Sequence, residues 1–145
     1  MGLDMYLNAK RYLWHNEESL IDKISAEFPE LQGGKVKAIT AEAMYWRKSN
    51  AIHKWFVDNV QDGVDDCGYY EVSREQLQEL VNLITEVLAN KKNASELLPP
   101  QAGFFFGSKD IDDWYWEDLS RTKEQLEKLL AQEMPNWWFE YHSSW

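Results

Sequence analysis

The chain has 145 residues, 44% hydrophobic and 28% charged, a balance that builds a folded domain rather than a disordered chain. Fifteen basic side chains against 25 acidic ones leave a formal charge of −10, which repels phosphate backbones at long range and disfavours general nucleic-acid binding. No apolar run approaches the roughly 20 residues that cross a bilayer, which excludes a membrane helix, and the one cysteine, Cys67, excludes an internal disulfide and suits a reducing, cytoplasmic compartment.

Residues 3–14 alternate, with Leu3, Met5 and Leu7 opposite Asp4, Tyr6 and Asn8, the period of a half-buried strand. The start has neither the basic-then-apolar order of a signal peptide nor the Ser or Thr of a myristoylation site. From Glu17 to Phe28 the period becomes helical through Leu20, Ile21 and Ile24, until Pro29 and Gly33-Gly34 stop it. A second strand is expected over 35–45, and a helix over 47–61 with Ile52, Trp55, Phe56 and Val60 as its buried stripe. Asp62-Gly63 turns the chain into an acidic loop, and Tyr69–Val72 reads as a short strand. Ser73 and Gln76 form the capping-box pattern ahead of a helix whose apolar face runs from Leu77 to Leu88. A Pro99-Pro100 corner leads to Gly103-Phe104-Phe105-Phe106-Gly107, read as a short buried strand. Asp110, Asp112 and Asp113 then mark the positive end of a last helix with Tyr115, Leu119, Thr122 and Leu126 on one face. Trp137–Tyr141 closes the chain as a strand. The expected fold is α+β, a single domain over residues 1–145, with a small mixed sheet and about four helices packed on it; a three-layer α/β sheet is the alternative.

The most unusual segment is Tyr45–Phe56. It gathers four potential cations, Arg47, Lys48, His53 and Lys54, within eight residues of an acidic chain. A helix starting near Arg47 would add the positive field of its free N–H groups, with Asn50 and His53 on one face. Trp46 and its aromatic neighbours would frame the island for stacking. The plainer reading is the solvated face of an amphipathic helix. Asp65 and Asp66, in the next loop, are expected to pair with Arg47 or Lys54, or to orient His53. Their loop lacks the alternating oxygen spacing of an EF-hand, Cys67 has no CxxC partner, and the three histidines have no zinc spacing, so no metal, cofactor or catalytic residue is assigned. Phe105, and the acidic-aromatic run with Trp114 and Trp116, complete the candidate recognition surface. Their plainer reading is core filling by a chain with eight tryptophans.

Four pieces, Met1–Leu7, the Tyr45–Phe56 block, Asp65-Asp66-Cys67-Gly68 and Gly103–Ser108, resemble a group of small uncharacterised proteins found widely in bacteriophage genomes. The resemblance covers most of the chain, and the middle block is its most specific part. It implies a setting more than an activity, since small early phage proteins are often host-takeover or counter-defence factors.

The leading expectation is a non-enzymatic binding or inhibitor protein that engages a host protein or a small anionic, nucleotide-like ligand. A second is an enzyme acting on a phosphorylated substrate, with His53 as general base oriented by Asp65 or Asp66. The third is a structural protein forming homo-oligomers through exposed tryptophans.

Overall fold

A computed structural model describes residues 2–145. Its elements follow in the order β1 (Asp4–Tyr12), α1 (Glu18–Ser25), β2 (Ala38–Arg47), α2 (Asn50–Asn59), β3 (Tyr69–Val72), α3 (Arg74–Ala89), α4 (Ala94–Leu97), α5 (Asp113–Leu130) and β4 (Trp137–Ser144). The four strands make one sheet in the order β2-β1-β4-β3. The class is the expected α+β. Every strand pair is antiparallel, however, so the sheet is not mixed. The last strand in sequence inserts between the first and third, where it runs against both.

Alternation in β1 places Met5, Leu7 and Ala9 on the buried face and Tyr6, Asn8 and Lys10 on the other. Phe139 and Tyr141 of β4 and Val72 of β3 join that buried face. Ile52 and Phe56 of α2, Leu77, Leu80 and Ile84 of α3, and Leu119 and Leu126 of α5 pack on it as one core. The capping box of α3 forms as its residues suggest: Gln76 N donates to Ser73 Oγ at 3.0 Å, and Ser73 N donates to Gln76 Oε1 at 2.9 Å. Asp112 caps α5 by accepting from Tyr115 N at 3.1 Å.

β2 carries a bulge. Leu7 faces Met44 while Asn8 faces Glu42, leaving Ala43 as the extra residue. The bulge reverses the strand's parity, so Met44 and Trp46 enter the core, while Thr40 and Glu42 lie on the opposite face from them. Trp46 is fully buried, and its indole N–H donates to Thr122 Oγ1 at 2.8 Å. Taking an indole of ~200 Å² from water contributes about 5 kcal/mol.

Three expectations are corrected. Gly103–Gly107 is a turn rather than a strand: Phe106 N donates to Gly103 O at 3.2 Å, Gly107 has a left-handed φ of 87°, and Phe104 is 95% exposed. It is tied to the residue just before β1, where Leu3 N donates to Phe105 O at 3.0 Å. The helix expected from residue 47 begins at Asn50, because Arg47 still pairs with Asp4 in the ladder and Lys48 N donates to Leu3 O at 2.7 Å. Finally, α1 buries none of its residues; Leu20, Ile21 and Ile24 are half-buried and Phe28 is exposed.

Candidate functional site

The turn from β2 into α2 and the start of α5 enclose an open cleft of about 530 Å³, within the usual range for small-molecule sites. Arg47, Lys48 and Arg121 bring positive charge to it, Asp110, Asp112 and Asp118 bring negative charge, and Trp114 stands at its edge, 75% exposed. Ala51 and Ile52 also line it, and their amide N–H groups have no acceptor among the described residues. These are the first-turn amides a helix leaves unpaired.

Local geometry explains the cleft. Lys48 takes a left-handed φ of 54°, which swings the chain out of the strand and into the helix. Gly107 packs against it; a Cβ there would sit 3.2 Å from that of Lys48. Asn50 pins the opposite wall: its Nδ2 donates to Phe106 O at 3.0 Å and Ser108 O at 2.8 Å, while its Oδ1 accepts from Gln101 N at 2.9 Å. This one buried amide therefore holds the 101–108 loop against α2. Arg121 Nη1 donates to Tyr45 O at 3.0 Å, and its Nη2 lies 3.5 Å from Asp118 Oδ1. Burial raises the Asp118 pKa above its ordinary value, against the pull of Ser49 and Arg121.

The expected four-cation island does not form. Arg47 and Lys48 reach the cleft, but His53 falls on the buried stripe of α2 between Ile52 and Phe56, and Lys54 faces outward to pair with Asp58. Asp65 and Asp66 pair with neither Arg47 nor Lys54. Arg47 Nη1 is 3.0 Å from Asp4 Oδ1, Asp65 binds His53, and Asp66 accepts from Gly68 N and the Tyr70 hydroxyl. Trp46 belongs to the core, and Phe105 packs against it. Trp116 is half-buried between Tyr115 and Lys91, whose Nζ lies 4.7 Å from the ring centroid. The cleft thus keeps Arg47, Lys48, Asn50 and Trp114 of the expected set. Arg121 and Asp118 were not anticipated, since an i,i+3 pair on the polar side of a helix looks like any solvated face.

His53 is fully buried. Its Nε2 is 3.0 Å from Asp65 Oδ2 and its Nδ1 is 2.7 Å from the Tyr141 hydroxyl oxygen. A carboxylate only accepts, so Nε2 carries the proton and Nδ1 accepts from Tyr141. Burial lowers the His53 pKa, outweighing the raising effect of Asp65. Asp65 orients the ring as expected, but Tyr141 occupies the nitrogen that a substrate would need. The ring is sealed from solvent and braces the scaffold, and Asp65 also accepts from the indole N–H of Trp145 at 3.0 Å.

No protein-family model, curated protein or solved structure matches the chain. Among the described residues no helix is long and apolar enough to cross a membrane.

Proposed function

We propose that this is a binding protein whose cleft between α2 and α5 takes a small anionic ligand of nucleotide type. The observation that carries the reading is the convergence, in one cavity of about 530 Å³, of Arg47, Lys48 and the unpaired amides of Ala51 and Ile52 with the exposed indole of Trp114. A phosphate suits the first group, and a flat ring suits the second. Asp110 and Asp112 would accept from base or sugar donors, so the mixed lining favours a ligand with an anionic end and a donor-bearing end. A bare anion would gain less. In the phage setting that the resemblance implies, such a protein would sequester a signalling nucleotide in the host cytoplasm.

Calorimetric titration with nucleoside 5′-phosphates and with inorganic phosphate tests this. The double variant R47Q/K48Q is expected to weaken nucleotide binding by about tenfold or more. Trp114→Ala should weaken nucleotides while leaving inorganic phosphate unaffected. Absence of binding across the series, together with a native mass spectrum showing no retained small molecule, overturns the reading.

A host protein as target is a second reading, favoured by the exposure of Phe104 beside that of Trp114. A co-purifying protein lost in F104A/W114A would support it.

A further inference from the structure

The helices of the core pack on one face of the sheet. The other face carries two cross-strand rows that run through all four strands. One is Tyr45, Tyr6, His142 and Tyr69, and the next is Glu42, Asn8, Glu140 and Glu71. None of these side chains joins the core, and Tyr69, Glu42 and Glu71 are exposed.

An antiparallel sheet keeps one face in water often enough that exposure alone decides nothing. The composition of the two rows does. Glu140 and Glu71 sit directly opposite one another, a like-charge pairing that costs stability. Lys10 Nζ, 2.7 Å from Glu140, compensates one of them and also lies 5.8 Å from the Tyr69 ring centroid. The face thus already holds one cation between a carboxylate and an aromatic ring. Arg47 is likewise held by Asp4, at the end of the sheet. Glu42 and Glu71 have no basic partner among the described residues. Two carboxylates therefore stand uncompensated on a face bordered by rings, within a chain of charge −10.

Ring geometry narrows the occupant. Tyr69 and His142 are stacked at 4.0 Å with planes 7° apart, and Tyr6 continues the stack at 6.0 Å and 19°. His142 thus has a ring against each of its neighbours, and Tyr69 alone of the row is exposed, so the row offers room for one planar group rather than for a run of bases or sugars. Single-stranded nucleic acid would also meet the carboxylate row, and a second copy of the chain would set like charge against like.

We infer that the uncovered sheet face is a docking surface for an arginine-rich segment of a protein partner, whose guanidinium groups pair with Glu42 and Glu71 and pack against the exposed Tyr69. Of the two rows only Tyr45 also lines the cleft, and pairing at Glu42, Glu71 and Tyr69 does not depend on the cleft.

Titration of the isotope-labelled full chain with an arginine–glycine repeat peptide, followed by amide chemical shifts, tests the assignment. Shifts are expected at Tyr6, Asn8, Tyr69 and Glu71. The variant E42Q/E71Q should weaken the peptide by about tenfold. The control E124Q/E127Q makes the same change of charge on the exposed side of α5 and should cost less than about twofold. Both glutamates of the test pair are exposed, so the fold should survive, and an unchanged or raised unfolding midpoint verifies it. Shifts confined to α5 or to the cleft, equal weakening by both double variants, or preferential binding of polyuridylate or a cello-oligosaccharide to this face would each overturn the inference.

Discussion

The indole N–H of Trp46 donates to Thr122 Oγ1, and the Thr122 hydroxyl in turn donates to the Asp118 carbonyl at 2.6 Å. This chain of bonds ties β2 to α5 through the middle of the core, directly behind the wall of the cleft. Thr122→Val keeps the shape and removes the acceptor. The buried indole N–H is then unpaired, at a cost of about 1–3 kcal/mol. Urea denaturation should show that loss, and Thr122→Ser should recover most of it.

Asn50 is the second point where one side chain controls a long segment. Asn50→Ala removes three hydrogen bonds to the 101–108 loop. The expected loss is about 2–4 kcal/mol, since buried backbone groups are left without partners. Loop release should also appear as new proteolytic cleavage around Phe104, before any global unfolding. If cleavage there stays as slow as in the parent chain, the loop is held by something other than this amide.

Acid should weaken the fold through His53. Its folded pKa lies below the ordinary 6.5, so between those two values the unfolded chain binds the proton and the folded chain does not. The stability linked to this ring is fully present above about pH 6.5 and is lost as pH falls toward the folded pKa. The slope from one such group is at most ~1.4 kcal/mol per pH unit. Denaturation curves at about pH 7.5 and about pH 5.5 should separate in the parent chain and draw together in His53→Gln.

Lys54 and Lys48 are six residues apart, yet they should behave differently. Lys54 faces outward in an i,i+4 pair with Asp58, so Lys54→Ala should change stability by less than about 0.5 kcal/mol and leave cleft binding untouched. Lys48→Gln should weaken an anionic ligand by about fivefold with little effect on folding. Equal effects of the two on binding, measured by calorimetry, would count against the cleft.

Periodicity carried most of the fold. The Ser73–Gln76 box and the Leu77–Val87 stripe identify α3, and the alternation at Leu3–Asn8 identifies β1, because burial on one face writes itself into spacing. The bulge at Ala43 was visible only as a broken alternation between Glu42 and Tyr45. The Gly103–Gly107 segment misled because three phenylalanines suggest burial, whereas backbone turning between two glycines left the first of them in water. At the site, Arg47 and Lys48 were legible as charge out of place in an acidic chain. His53 was not, since a histidine on the buried stripe of a helix and one on its solvent face differ in spacing by a single residue. Arg121 and Asp118 come from a distant helix, and only the folded chain brings them to the β2–α2 turn.

The position of β4 has a consequence for biosynthesis. Because Trp137–Ser144 is the piece that joins β1 to β3, a nascent chain emerging from the ribosome carries a two-stranded pair and an orphan strand until that segment has been made. Loss of that one segment would therefore split the sheet down its middle rather than trim its border.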